Sequence, residues 1–262
     1  MQQNNQSNGL ATIFSVCSGK GGVGKTSISV NLATEFANRG FRTVVFDADL
    51  GMSNTHILAG VRPEKTLSDY IDKRADLDDI IVDSPSGVKF ISGGSGVREM
   101  ADLDDAGRNQ ILEAIQKVRP HCDLIIIDVG AGISRAVTDF VSISDHTITV
   151  TTSNFAAIAD AYGIIKVVIQ DGYKNPLHLV INRVRSPEEG EQVYKKLKGC
   201  TERFLGFELN WLGLMTEDHS VEGAVLKRQP FIEAFPASVA TRYLKKLATT
   251  LERYISSVPQ SN

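Results

Sequence analysis

A short glycine-rich stretch constrains the fold of this chain more than any other feature. It reads Gly-Lys-Gly-Gly-Val-Gly-Lys-Thr from Gly19 to Thr26 and matches the pattern GxxxxGK[ST]. An apolar run, Ala11 to Cys17, precedes it, and Ile28, Leu32 and Phe36 follow it at a spacing of four residues, before Gly40. The pattern predicts a buried strand, a tight loop and an amphipathic helix, in that order.

A loop of this kind is suited to binding phosphate. Its glycines let the backbone curl so that successive N–H groups point inward, and the following helix adds its positive end. Lys25 is then placed to contact the β- and γ-phosphates of a nucleotide, and the Thr26 hydroxyl to bind Mg²⁺, which prefers oxygen ligands. A chance glycine-rich turn would not require a strand before it and a helix after it. The predicted nucleotide-binding residues are Gly19, Lys20, Gly21, Gly22, Val23, Gly24, Lys25, Thr26 and Ser27.

Short apolar runs alternate with helix-like segments along the chain, which is typical of a parallel sheet covered by helices. Several runs are almost entirely Val, Ile and Leu, as expected for strands buried on both faces. We expect an α/β domain over residues 11–256 with the P-loop NTPase fold: a single doubly wound, mainly parallel sheet of about seven or eight strands, with helices on both faces. A polar segment, 1–10, and a polar tail, 257–262, flank it. The predicted strands are Ala11 to Cys17, Thr43 to Phe46, Val88 to Ile91, Leu124 to Ile127, Thr147 to Thr151, Leu177 to Ile181 and Trp211 to Met215.

The segments between these runs contain further helices and loops. Ile111, Ile115 and Val118 recur at helical spacing and predict a helix. The turn-rich stretches Asp83 to Gly87 and Gly93 to Gly96 are predicted to be loops within the domain.

Composition excludes several classes of protein. With 262 residues, 42% of them hydrophobic and 23% charged, the chain can bury a large core. Its formal net charge of -3 gives no overall basic field for non-specific DNA binding. Cys17, Cys122 and Cys200 form no CxxC pair, so neither a zinc site nor a disulfide framework is indicated. Because no apolar stretch approaches the ~20 residues of a membrane span, we expect a cytoplasmic protein.

Acidic residues follow two of the predicted strands. Asp47 and Asp49 come after the second apolar run, and Asp128 ends the run Leu124 to Ile127. Carboxyl ends of strands are where ligands bind in α/β sheets, so all three carboxylates face the predicted nucleotide site. Asp128 is then a candidate for holding Mg²⁺ through water. The stretch Gly130 to Gly132 is a candidate sensor of the γ-phosphate through backbone N–H groups. Taken singly, each acid is also explained as a helix cap or a turn residue.

The whole string GKGGVGKT, with its additional lysine, resembles the deviant Walker A box of the MinD/ParA family. That resemblance implies that Lys20 reaches across a homodimer interface to the partner's phosphates. It also implies that Asp47 supports the Mg²⁺ site, that Asp49 orients the attacking water, and that Asn182 reads the adenine edge beside Arg183. The resemblance implies a slow, partner-stimulated ATP hydrolase with ATP or ADP and Mg²⁺ as cofactors. The metal residues it implies are Thr26, Asp47 and Asp128, and the catalytic residues are Lys20, Lys25 and Asp49.

Several longer strings resemble the FlhG/FleN branch of flagellar-number regulators. That resemblance implies control of flagellar number, placement or gene expression through a flagellar transcription activator or a flagellar GTPase. Two alternatives stay open: a positioner of DNA, a chemosensory array or another cargo, and an adaptor in which hydrolysis is incidental. The strings are Asp47 to Gly60, Asp128 to Ile133, Ile158 to Tyr162, Thr201 to Leu205 and Glu233 to Pro236.

The last helical pattern of the chain carries one apolar stripe with basic residues elsewhere. Two interpretations remain open for it. The stripe either docks on the domain, as most amphipathic helices do, or lies on a membrane surface at the inner face or a cell pole. The stripe consists of Tyr243, Leu244, Leu247, Leu251 and Tyr254.

Overall fold

The computed structural model describes residues 10–49, 54–94 and 103–255. Parts of four predicted segments lie outside the described residues. They are positions 1–9 of the amino-terminal segment, 50–53 of the acidic segment after the second strand, 95–96 of the second predicted loop, and the tail 257–262.

Eight strands form one sheet in the order β3-β4-β2-β5-β1-β6-β7-β8. All neighbouring pairs are parallel except β3 with β4. The predicted fold class, a mainly parallel doubly wound sheet, is confirmed. The strands are β1 Thr12–Ser18, β2 Thr43–Ala48, β3 Ile81–Asp83, β4 Lys89–Ile91, β5 Leu124–Ala131, β6 His146–Thr152, β7 Leu177–Val184 and β8 Asn210–Thr216.

Helices connect the strands and cover both faces of the sheet. Two 3₁₀ turns, Asp78–Ile80 and Arg119–His121, add to them. The α-helices of the described residues are α1 Lys25–Asn38, α2 Thr55–Leu58, α3 Leu67–Ile71, α4 Asp105–Val118, α5 Arg135–Ser142, α6 Phe155–Gln170, α7 Pro187–Leu205, α8 His219–Lys227, α9 Phe231–Ala234 and α10 Val239–Glu252.

The core is split into two layers by the sheet. Successive strand residues point to opposite faces, so Ile13 joins one layer and Phe14 the other. Helices α3 to α7 cover the first layer, for example through Ile115 of α4. Helices α1, α9 and α10 cover the second, for example through Phe36 of α1. Both faces are therefore apolar, which accounts for the continuous apolar runs of the central strands.

Three details of the strand prediction were wrong. Ile81–Asp83 forms β3, an edge strand antiparallel to β4, although Asp83 was assigned to a loop. Val88 precedes β4 instead of belonging to it. Gly130 and Ala131 extend β5 because Ala131 pairs with Ser18 of β1, so the expected glycine-rich loop begins only at Gly132.

The last helix, α10, docks on the domain. Its residues Leu244, Leu247 and Leu251 are fully or almost fully buried, and the helix packs against β8 and α1. The interpretation of this stripe as core-facing is confirmed. Among the described residues, none of the helices combines the length and apolar character that crossing a bilayer demands.

Candidate nucleotide-binding site

The phosphate-binding loop lies between β1 and α1, at the carboxyl edge of the sheet. Glycine is required at two of its positions for different reasons. A Cβ at Gly19 would lie 2.0 Å from the backbone oxygen of Asp160, so the loop packs directly on α6. Gly24 has a φ of 94°, and a Cβ there would lie 2.3 Å from Nδ2 of Asn182. Larger residues would therefore push the loop away from the elements that shape it.

Lys25, the lysine at the end of the motif, is buried and paired. Its Nζ lies 3.1 Å from Oδ1 of Asp128, the residue that follows the aliphatic run of β5. The same oxygen accepts a hydrogen bond of 2.7 Å from the Ser29 hydroxyl, one turn further along α1. The three side chains connect the helix after the phosphate loop to the acidic residue of β5, a contact that the sequence did not predict.

Electrostatics keep the Lys25 ammonium charged despite its environment. Burial lowers the pKa of Lys25, but the neighbouring carboxylates, Asp128 foremost and then Asp49 and Asp47, hold it above its ordinary value. The charged form is thus favoured at any physiological pH. A permanent cation at the mouth of an anion-binding loop is the arrangement that phosphate binding requires.

Asp47 lies beside Asp128 across the β2–β5 pair, but its carboxylate already has several hydrogen-bond partners. Oδ1 accepts from the Asp49 backbone N–H at 3.1 Å. Oδ2 accepts from the N–H groups of Asn54 and Thr55, both at 3.1 Å, and from the Thr55 hydroxyl at 2.8 Å. Asp47 therefore holds the amino end of α2 as well as facing the predicted metal site.

The carboxyl end of β5 approaches the same place. A Cβ at Gly130 would lie 3.9 Å from Oδ1 of Asp49, so the two segments are in contact distance of each other. Gly132, with a φ of 102°, donates its N–H to the Ser18 carbonyl oxygen at 2.9 Å. The predicted water-orienting acid and the predicted sensor segment thus lie side by side, next to the start of the phosphate loop.

The residues present fit a magnesium ion. Oδ2 of Asp128 is buried and has no hydrogen-bond partner among the described residues. A buried carboxylate oxygen without a partner is costly, and Mg²⁺ prefers oxygen ligands while keeping several waters. Asp128 and the half-buried Thr26, at the first turn of α1, would hold the ion, with Asp47 and Asp49 nearby.

The predicted nucleoside site borders a small cavity of about 80 Å³ beside the phosphate loop. The predicted base-reading residues, Asn182 and Arg183, line it, with Ser27 and segments of β8 and α8. Asn182 donates from Nδ2 to the Val23 carbonyl oxygen at 2.8 Å. Its Oδ1 accepts from the Arg183 N–H at 2.9 Å, and Arg183 has a φ of 55°. Asn182 therefore ties β7 to the phosphate loop, while the Arg183 side chain is exposed.

Lys20 lies apart from the buried pair. Its side chain is exposed on the phosphate loop, and its backbone oxygen accepts a hydrogen bond of 3.0 Å from Ser18. It lines an open cavity together with Asn154 and Arg185. An exposed position on the outer side of the loop is compatible with contact to a second molecule.

Two site residues were missed from the sequence. Ser29 contacts Asp128, and Thr55 contacts Asp47, each through a buried side-chain hydroxyl. Ser29 could have been identified from the sequence, because it lies four residues after Lys25 and so on the same face of α1. Thr55 could not have been identified in this way, since only the path of the chain after β2 brings it back to Asp47.

The chain is similar to known nucleotide-binding proteins. The family model of the CobQ/CobB/MinD/ParA nucleotide-binding domain matches residues 14–231. The antiactivator FleN of Pseudomonas aeruginosa is 35% identical, over 92% of this chain and 86% of FleN. The flagellum site-determining protein YlxH of Helicobacter pylori is 31% identical, over 93% and 82%.

A solved structure has the same fold. The septum site-determining protein MinD of Pyrococcus horikoshii, complexed with Mg-ADP, gives a TM-score of 0.79 over 93% of this chain and 97% of MinD, at 23% identity. The resemblance seen in the phosphate loop and in the longer strings is thereby confirmed. The chain belongs to the CobQ/CobB/MinD/ParA family of nucleotide-binding proteins.

Proposed function

We propose that this protein is a dimerising ATPase switch that regulates flagellar number, flagellar placement or flagellar gene expression through nucleotide-controlled binding of a partner. The names of its relatives support the flagellar assignment: one is an antiactivator and the other a flagellum site-determining protein. The partner would be a flagellar transcription activator or a flagellar GTPase.

One observation carries the ATPase part of the proposal. The buried Lys25–Asp128 pair lies at the carboxyl edge of the sheet, close to Asp49. The second carboxylate oxygen of Asp128 has no hydrogen-bond partner among the described residues. Phosphoryl transfer needs little more than positioning and charge stabilisation. Lys25 supplies a positive charge, and Asp49 would orient the attacking water. When bound, Mg²⁺ would neutralise charge on the phosphoryl oxygens.

A second feature supports a switch. Asp47 faces the predicted metal site and also holds the amino end of α2 through Asn54 and Thr55. A change in the charge near Asp47 would therefore alter the position of α2. Molecular switches use this kind of coupling between a local change in charge and a distant binding surface. Lys20, exposed on the phosphate loop, would contact the nucleotide of a second copy and make dimer formation depend on ATP.

The proposal is tested by two measurements. Flagella are counted and located by electron microscopy in cells lacking the chain and in cells carrying Asp49→Ala. Extra or misplaced flagella are expected in both, and unchanged flagella would refute the flagellar role.

In vitro, light scattering with ATP and Mg²⁺ should show dimers for the wild type and for the surface control Lys195→Gln, but monomers for Lys20→Gln. A dimeric Lys20→Gln variant would refute the cross-interface role.

A further inference from the structure

A groove of about 560 Å³ lies outside the nucleotide site, between α2 and the segment that joins α8 to α9. We call it the basic groove and define it by Ile57, Arg62, Pro85, Lys227, Arg228 and Glu233. Its volume is within the range of about 300–1,000 Å³ that is usual for ligand sites in proteins. It is therefore large enough to receive side chains of another molecule.

The charge of the groove differs from that of the whole chain. Arg62, Lys227 and Arg228 are exposed cations that line it, against the single carboxylate of Glu233. Among the described residues, none of these three cations has a carboxylate within ion-pair distance. The chain as a whole carries a formal net charge of -3. The excess of positive charge is thus a local property of this groove and favours an acidic ligand.

The groove also offers apolar surface. The side chain of Ile57 on α2, which lines the groove, is 41% exposed. The two features together describe a ligand that carries both acidic and apolar side chains.

One wall of the groove is connected to the predicted metal site. This wall is α2, and its first residue, Thr55, is held by the Asp47 carboxylate through both its N–H and its hydroxyl. Asp47 in turn pairs in register with Asp128, the partner of Lys25. Only one carboxylate therefore separates the metal site from the helix that forms the groove.

The other wall is connected to the predicted nucleoside cavity. Helix α8 begins at His219, which lines that cavity with Phe231 of α9. The backbone N–H of Ile232 donates to Oδ1 of Asn31, on the helix after the phosphate loop, at 3.1 Å. Both walls of the basic groove thus begin at residues that border the nucleotide site.

The walls come close together at Gly60 and Arg228. A Cβ at Gly60 would lie 2.6 Å from the backbone oxygen of Arg228. Both residues have positive φ, 68° for Gly60 and 52° for Arg228. For a residue with a side chain such as Arg228, this conformation is uncommon and is kept only where the surroundings require it. The contact therefore sets the distance between α2 and the α8–α9 segment.

From these observations we propose that the basic groove binds an extended acidic and apolar segment of the regulatory partner, and that nucleotide changes the affinity by shifting its two walls. The inference rests on the proposed function for the identity of the partner protein. A peptide is favoured over a membrane because the surface is concave, whereas a bilayer requires a flat or protruding apolar face.

The test uses the full chain and a fluorescein-labelled twelve-residue peptide that alternates Leu with Asp and Glu, followed by fluorescence anisotropy. A second peptide, with Lys at every acidic position, reports non-specific contact. The acidic peptide should bind saturably, and its affinity should differ at least about 5-fold between the nucleotide-free protein and protein with a non-hydrolysable ATP analogue.

Variants locate the binding. The double substitution Arg62→Glu and Lys227→Glu should weaken binding of the acidic peptide at least about 10-fold. The matched control, Lys195→Glu with Lys196→Glu on α7, changes the net charge equally and should have little effect. Gly60→Ala should reduce the difference between the two nucleotide states, because it pushes the walls apart. Unchanged thermal melting and nucleotide affinity would establish that each variant is folded.

Several outcomes would overturn the inference. These are equal binding of the acidic and basic peptides, wild-type affinity in the Arg62 and Lys227 double variant, or binding of anionic lipid vesicles through these residues without peptide binding. Failure of the proposed function has a different signature. A wild-type chain that does not dimerise with ATP would refute the switch, whereas peptide binding to the nucleotide-free chain would still report on the groove.

Discussion

Asp128 illustrates at the residue scale why a buried ion pair at this edge of the sheet is better explained by function than by stability. At 3.1 Å from Lys25, the attraction is roughly 5 kcal/mol at an effective dielectric constant of about 20. Taking both charges out of water costs a similar amount or more. The pair therefore adds little to folding. The pair holds a lysine charged and in place beside the phosphate loop, while one oxygen of Asp128 has no hydrogen-bond partner in the part of the chain that the structure describes.

The Ser29 hydroxyl gives a prediction at this scale. Ser29→Ala removes the 2.7 Å hydrogen bond to Asp128 and leaves a buried carboxylate with one donor fewer. We expect a loss of about 1–3 kcal/mol in the free energy of unfolding and weaker binding of nucleotide with Mg²⁺. Urea denaturation and titration calorimetry measure the two effects.

The control for Ser29 is on the same helix. Thr34 is also buried, but its hydroxyl donates only to the Val30 backbone oxygen. Thr34→Ala should therefore leave the affinity for nucleotide unchanged. If Ser29→Ala bound nucleotide with Mg²⁺ as tightly as Thr34→Ala, the hydroxyl would have no part in the site.

At the scale of elements, α10 shows that an apolar stripe in the sequence does not distinguish a helix docked on the domain from a helix on a membrane surface. The packing around the helix makes that distinction. Leu244, Leu247 and Leu251 point into the layer between α1 and the sheet. Gly213 of β8 leaves the space that Leu247 occupies, since a Cβ there would lie 2.5 Å from Cδ2 of Leu247. The helix is part of the core, and its apolar face is not available to a membrane in this arrangement.

Truncation of Leu247 tests this packing. Leu247→Ala should lower the free energy of unfolding by about 2–5 kcal/mol, because it removes buried methyl groups and leaves a cavity. Leu226→Ala is the matched control, since the same atoms are lost from a side chain that is 87% exposed, and should cost no more than about 0.5 kcal/mol. Equal stability of the two variants in urea denaturation would contradict the docking of α10.

At the scale of the whole molecule, the face that carries the phosphate loop is where a second copy would meet the first. Lys20 is exposed there, and two apolar side chains flank the loop. Phe155, the first residue of α6, is 85% exposed, and Ile133, just after β5, is 58% exposed. The Asn154 side chain caps α6 by accepting from Ala156 N–H, so the position of Phe155 is firmly held. Apolar groups on both sides of a cation favour a surface that is covered when dimers form.

A dimer that uses this face predicts a role for Phe155. Phe155→Ala should weaken ATP-dependent dimerisation about 10-fold or more, as expected for loss of an aromatic anchor, while ATP binding to the monomer is retained. Light scattering over a range of concentrations, with ATP and Mg²⁺, gives the dissociation constant. Phe204→Ala is the control, because Phe204 is 64% exposed on α7. An unchanged constant for Phe155→Ala would place the interface elsewhere.

Features that depend on neighbouring residues could be predicted from the sequence. The phosphate loop and the helix after it were predicted from local pattern, and seven of the eight strands from apolar runs, because strands buried on both faces need continuous apolar sequence. The acids at Asp47 and Asp128 were identified because they end such runs. The family and the fold are confirmed, while the roles assigned to the individual site residues stay predictions.

Features that depend on residues distant in sequence could be seen only in the folded chain. The edge strand β3 is too short to show a pattern, and it forms because β4 offers a free side for pairing. Ala131 belongs to β5 because Ser18 lies opposite it. The hydrogen bonds of Asp47 to Thr55 and the contact of Gly60 with Arg228 join segments that approach each other only in the fold. Local pattern specifies strands and loops, whereas contacts between separate segments require the packed chain.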